Sequence, residues 1–77
     1  MNYAITIIRM DNNTMQFQST EFCGVIKNKK VVENILAGKH ASFDQVEYFL
    51  NLKHTDHTVI ETTKNEYIWF IYIFAFE

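Results

Sequence analysis

The chain has 77 residues, of which 48% are hydrophobic and 16% aromatic, and its formal net charge is −2. A chain of this length has room for one small core, so residues 1–77 are expected to form a single domain. The near balance of seven basic and nine acidic residues excludes an acidic DNA mimic and a strongly basic nucleic-acid binder. One cysteine excludes an internal disulfide, and no signal-peptide pattern opens the chain, so a cytoplasmic protein is predicted.

The first predicted element is a β-hairpin over residues 2–20. Polar and apolar residues alternate in "MQFQST", "YAITIIR" is rich in strand formers, and "DNNT" between them supplies asparagines that tight turns tolerate. The more apolar side of the hairpin is expected to pack beneath the helices, and it consists of Tyr3, Ile5, Ile7, Met15 and Phe17. The opposite side consists of Ala4, Thr6, Ile8, Gln16 and Gln18.

Two short helices are predicted next. In "NKKVVENILAG" apolar residues recur at helical spacing, Asn28 is placed to cap the start, and Gly38 suits the left-handed residue that ends a helix. A second hairpin over "CGVIKNKKVV" is the less favoured alternative, because the helical spacing continues to Leu36. In "SFDQVEYFLNL", Ser42 and Gln45 have the spacing of a capping box. The apolar face of this second helix is formed by Phe43, Val46, Phe49 and Leu50.

The last two elements are strands. "TVIETT" reads as a strand, "KNE" as a turn, and "YIWFIYIFAF" as the longest strand, because β-branched and aromatic side chains suit a sheet. A membrane-spanning helix would need about 20 apolar residues, which is twice this stretch. The order ββααββ predicts an α+β fold in which an antiparallel sheet has strand order 2-1-4-3 and both helices lie on one face.

Both faces of the strand over residues 67–76 are apolar, although two short helices cover one face of the sheet only. The uncovered face predicts an interface. The simplest partner is a second copy, because a twofold pair buries the same patch on both chains. Since Trp and Tyr are frequent interface anchors, the face that carries Trp69 is expected to be the interface. Its predicted residues are Ile8, Tyr67, Trp69, Ile71 and Ile73.

Two alternatives to this interface remain open. The opposite face of the last strand is equally apolar, so the assignment of the two faces can be reversed. The uncovered face can also be reserved for a different protein, in which case the free protein is a monomer.

No segment predicts a reaction. His54, Asp56 and His57, together with His40, are zinc-ligand types, but they lack the spacing of a structural zinc site and are interpreted as solvated loop residues. Cys23 stands between Phe22 and Gly24 without a neighbouring cation, so it is interpreted as a small buried hydrophobe. No glycine-rich phosphate loop exists. The expectation is a protein without catalytic residues, metal or cofactor.

A small basic patch supplies an alternative function. Arg9, Lys27, Lys29 and Lys30, combined with aromatic residues of the sheet, have the ingredients of a single-stranded nucleic-acid site. Because the whole chain is slightly acidic, a solvated helix start is the favoured interpretation of the lysines.

The general character of the chain resembles the small accessory and inhibitor proteins of phages and mobile elements, among them anti-CRISPR proteins. The shared traits are short length, richness in Asn, Lys, Ile, Phe and Tyr, the lack of a catalytic motif, and a compact α+β build. The resemblance implies inhibition by binding, in which the protein occupies a surface of a host protein machine such as a CRISPR or other defence complex. It implies the host cytoplasm as the compartment and assigns no functional residue.

Overall fold

A computed structural model describes all of residues 1–77 and contains six elements in the order ββααββ. The strands are β1 (Asn2–Asp11), β2 (Phe17–Ile26), β3 (His57–Lys64) and β4 (Tyr67–Phe76), and the helices are α1 (Lys29–Gly38) and α2 (Phe43–Leu50). The four strands form one antiparallel sheet with the order β2-β1-β4-β3. The predicted α+β class, element order and strand order are therefore confirmed.

The core lies between the two helices and one face of the sheet. Ile5 is paired with Ile73, and Ile7 with Ile71, across the two central strands, and all four side chains are buried. Helix α2 contributes Phe49, whose ring centroid lies 5.1 Å from that of Tyr3. The buried cluster consists of Tyr3, Ile5, Ile7, Val32, Leu36, Phe49, Leu52, Ile60, Trp69, Ile71, Ile73 and Ala75. Both helices therefore cover the same face, as predicted.

Both helices begin at the caps that the sequence predicts. The Asn28 side chain accepts a hydrogen bond of 2.9 Å from the backbone N–H of Lys30. Ser42 and Gln45 form the complete capping box, with hydrogen bonds of 2.8 and 3.1 Å. The Nε2 of Gln45 also donates to the backbone carbonyl of Glu61, which joins α2 to β3. Neither helix is long and apolar enough to cross a membrane.

The first hairpin is longer than predicted and its outer strand is irregular. Strand β2 runs to Ile26, and the alternative hairpin over "CGVIKNKKVV" is wrong because its second half belongs to α1. Two register shifts interrupt the pairing of β1 with β2, one beside Ile8 and one beside Met10. Each shift inserts an extra residue into β2 and changes which face its side chains occupy. The second shift reverses the effect of the first, and Phe17 is paired with Met10 on the face away from the helices. Met15 lies in the turn before β2, so both residues are exposed instead of packed beneath the helices. Phe22 and Ile26 contact the core in their place.

Two helix details also differ from prediction. Gly38 is the last residue of α1 and has no positive φ, whereas His40, two residues later, has φ 65°. Phe43 was expected on the apolar face of α2, but 83% of its surface is exposed because it occupies the first helical position, outside the contact with the sheet. Three other non-glycine residues, Met15, Thr55 and Asn65, also adopt positive φ.

Candidate functional site

The face of the sheet opposite the helices carries an apolar surface, which we call the open face. The register places on it the alternate residues of each strand that point away from the core. Its large apolar members are Ile8, Met10, Phe17, Val25, Val59, Phe70, Tyr72, Phe74 and Phe76, whereas Ile68 occupies a position of the same face but is buried. Of these, Val25, Val59, Tyr72 and Phe74 each expose between 42% and 56% of their surface.

The relief of the open face is a ridge beside a trough. The ridge consists of successive aromatic residues of β4, and the rings of Phe74 and Phe76 stack with centroids 5.8 Å apart. The neighbouring positions of β1 are the small residues Ala4 and Thr6, which are paired with Phe74 and Tyr72. A shallow cavity of about 280 Å³ includes this trough and extends to Val59 on β3. An apolar depression of this kind fits a hydrophobic side chain better than a polar ligand.

Few charges lie on the open face. Glu61, paired with Phe70, is the only carboxylate that the register places there, and His57, paired with Phe74, is the only basic side chain. Both lie on the edge strand β3, so the centre of the face is uncharged. The buried centres of protein interfaces are similarly depleted in charge and enriched in aromatic residues.

The predicted interface residues lie on the other face, with one exception. Trp69, Ile71 and Ile73 retain 8% or less of their exposure and belong to the core beneath the helices, while Tyr67 is half-buried and packs against that core. Only Ile8 lies on the open face. The assignment of the two faces of β4 is therefore reversed, because β1 and β4 pair Ile5 with Ile73 and so bring the Trp69 side of β4 to the Tyr3 side of β1.

Trp69 is held in place by a polar cluster at the end of the core. Its indole N–H donates a hydrogen bond of 3.0 Å to Oε1 of Glu21. Lys39 donates to the same oxygen, and Arg9 forms an ion pair of 3.4 Å with Oε2. The ring of His40 lies beside the indole, with centroids 5.7 Å apart. The polar atom of this buried aromatic residue is thus satisfied within the chain.

The four basic residues proposed as nucleic-acid contacts do not form one patch with the exposed aromatics. Arg9 is paired with Trp69 on the helix side, where its guanidinium lies over the ring of Tyr67 and bonds Glu21 and Gln18. Lys29 donates to the backbone carbonyl of Leu50, and Lys30 pairs with Glu33. Lys27 is exposed in the connection between β2 and α1. These residues are associated with the helical layer and not with the open face.

The candidate metal ligands and the cysteine also occupy separate places. No three His, Cys, Asp or Glu residues come together in a way that could hold a metal ion. The Asp56 carboxylate instead accepts a hydrogen bond from the backbone N–H of Lys53, which closes the loop before β3. Cys23 is exposed and not buried as expected, because its pairing with Thr6 places it on the open face. Its sulfur accepts a hydrogen bond of 3.7 Å from the Thr6 hydroxyl.

The residues that sequence reasoning missed are Phe70, Tyr72 and Phe74, and one signal would have found them. The turn between β3 and β4 contains only Asn65 and Glu66, which fixes Glu61 opposite Phe70. A carboxylate next to Phe70 marks that face as the one without a helical layer. Comparison of the chain with family models, with curated proteins and with solved structures finds no match.

Proposed function

We propose that this chain is a binding protein and not an enzyme, and that it acts by placing the open face against another protein. The observation that carries the proposal is the exposure of Tyr72, Phe74 and Val59 on a face whose centre holds no charge. Soluble proteins rarely leave a contiguous apolar patch without a partner. Tyr and Phe are enriched at the centres of protein interfaces, which is how they are arranged here.

The activity that fits this surface best is inhibition by occupation. A domain of 77 residues with one broad apolar face offers a contact area and little enclosed volume, since its only cavity is shallow. The resemblance to small phage and mobile-element proteins supports a host protein machine, such as a CRISPR or other defence complex, as the target. The proposed compartment is accordingly the host cytoplasm.

A charge introduced on the open face, compared with the same change elsewhere, tests the proposal. Phe74→Lys places a cation on the central strand of the open face, whereas Phe43→Lys makes the same change at an aromatic residue that is 83% exposed on α2. Wild type, Phe74→Lys and Phe43→Lys are each immobilised and incubated with host extract. We expect a protein that wild type and Phe43→Lys retain and Phe74→Lys does not. Equal retention by all three would show that the open face is not the binding surface.

A second candidate function, single-stranded nucleic-acid binding, is favoured by the exposed aromatics alone. Bases stack on aromatic residues of a sheet, but such sites also need cations along the strand path. The open face has no Lys or Arg, and Arg9 and Lys29 are engaged on the helix side. Fluorescence anisotropy with a labelled oligonucleotide separates the two functions. Binding at low salt that weakens steeply as salt is raised would favour nucleic acid.

A further inference from the structure

Each edge of the sheet carries a feature that hinders the addition of another strand. Register shifts beside Ile8 and Met10 interrupt β2 at one edge, and such bulges are a common device against edge pairing. At the other edge, on β3, Nε2 of Gln45 donates a hydrogen bond of 2.8 Å to the backbone carbonyl of Glu61. A partner strand would have to displace that hydrogen bond. Association through the sheet is therefore favoured at the open face over either edge.

The open face has the size that a dimer needs. Four strands spaced about 4.8 Å apart and eight to ten residues long, at about 3.4 Å per residue, cover roughly 19 by 30 Å. That area of roughly 570 Å² in projection is of the same order as the accessible surface, about 800 Å² per partner, that a standard interface buries. A small apolar ligand or a single side chain would leave most of this face exposed.

Its charge and shape are compatible with a copy of itself. The uncharged centre creates no repulsion when two identical faces meet, and Glu61 and His57 lie on the edge strand, away from that centre. The aromatic ridge of β4 runs beside the trough at Ala4 and Thr6. A twofold axis between β1 and β4 lets the ridge of each copy enter the trough of the other. Stacked sheets interlock their side chains in this way at a separation of about 10 Å.

We infer that a second copy of this chain covers the open face in the free protein. The resulting dimer has two sheets in its centre and a pair of helices on each outside, so every sheet is covered on both faces. The inference rests on the proposed function, because it names the partner of the same face. A host target then binds by replacing the second copy, and its apparent affinity falls as the protein concentration rises.

Sedimentation equilibrium over a range of concentrations tests the dimer. We expect wild type and Phe43→Lys to reach twice the chain mass of 9.2 kDa. Phe74→Lys should raise the dissociation constant by more than about tenfold, and Val59→Lys is a second open-face variant in case the first fails to fold. Circular dichroism confirms folding. A wild type that stays monomeric at high micromolar concentration, or folded open-face variants that remain fully dimeric, would overturn the inference.

The reactivity of Cys23 supplies an independent measurement. Cys23 is the only cysteine and lies on the open face, so the second copy shields it from reagents. Iodoacetamide labelling, followed by mass spectrometry, should be slower in concentrated wild type than in dilute wild type. Folded Phe74→Lys should label at the same fast rate at both concentrations. Labelling of wild type at one rate at all concentrations counts against the dimer.

The two proposals fail separately. If the wild type is monomeric and only Phe74→Lys fails to retain the host protein, the inferred dimer is wrong and the proposed binding function is supported. If the wild type is dimeric through the open face and Phe74→Lys retains the host protein, the dimer is supported and the proposed binding surface is wrong.

Discussion

Glu21 and Trp69 are 48 residues apart in the chain, and a hydrogen bond of 3.0 Å joins the indole N–H to the carboxylate. Glu21 lies at the first register shift of β2, between Thr20 and Phe22, which are paired with consecutive residues of β1. The irregular pairing thus places a carboxylate where a buried indole needs an acceptor. Because Arg9 and Lys39 bond the same carboxylate, its charge is also compensated.

Replacing Glu21 should therefore destabilise the fold. We expect Glu21→Leu to lower the free energy of unfolding by about 1–3 kcal/mol, since the indole N–H loses its acceptor. Glu21→Gln keeps an oxygen for that N–H and should cost less. Urea denaturation of the two variants gives the comparison. A larger loss for Glu21→Gln would mean that the indole bond is not the dominant interaction.

Trp69 should behave as a core residue and not as an interface anchor. It is the only tryptophan and is 8% exposed, so its emission should be blue-shifted and resistant to acrylamide quenching. Trp69→Phe keeps most of the buried volume and should lower the unfolding free energy by about 1–3 kcal/mol, through the lost hydrogen bond to Glu21 and the space that the smaller ring leaves. Its oligomeric state, measured by sedimentation, should equal that of wild type. A change in mass without a loss of stability would contradict this placement.

Thr62 offers a stabilising substitution. Its hydroxyl is buried beside Trp69 in the sheet and has no hydrogen-bond partner. Thr62→Val replaces the hydroxyl by a methyl group, which removes an unsatisfied polar atom and should raise the unfolding free energy by about 1 kcal/mol. Thr63→Val, at the next and exposed position of β3, is the matched control and should have little effect. Thermal unfolding that ranks Thr62→Val below wild type would contradict the expectation.

Asp11 should make the stability of the fold depend on pH. The backbone N–H groups of Thr14 and Asn13 donate to its carboxylate and lower its pKa from the ordinary value. A carboxyl with a lowered folded-state pKa contributes stability above its unfolded pKa, near 3.9, and this contribution is lost as pH falls through the lower folded value. Wild type should therefore exceed Asp11→Ala in melting temperature at neutral pH. The difference should shrink below about pH 4, and a constant difference would exclude this role.

Local signals in the sequence were sufficient to predict the strands and helices and their order along the chain. The capping box of Ser42 and Gln45 depends on residues three apart, so it was predicted from spacing and is confirmed. The face of Trp69 depends on how β4 is paired with β1, and a slip of one residue moves every side chain to the other face. Both faces of β4 are apolar, so their composition could not show which face packs beneath the helices. Met15 and Phe17 were misplaced because the alternating pattern does not show where the turn ends: Met15 lies in the turn, and Phe17 is paired with Met10 on the face away from Tyr3.

The pairing of β1 with β4 also dictates when the fold can form. β4 is the last of the six elements to be synthesised, yet it lies between β1 and β3 and supplies the centre of the sheet. Until residue 76 has left the ribosome, the earlier elements lack the strand against which they pack. The chain is therefore expected to fold after translation of this domain and slowly for its size, since its central pairing closes almost the whole chain into a loop. During that interval its apolar strands are exposed and prone to aggregate.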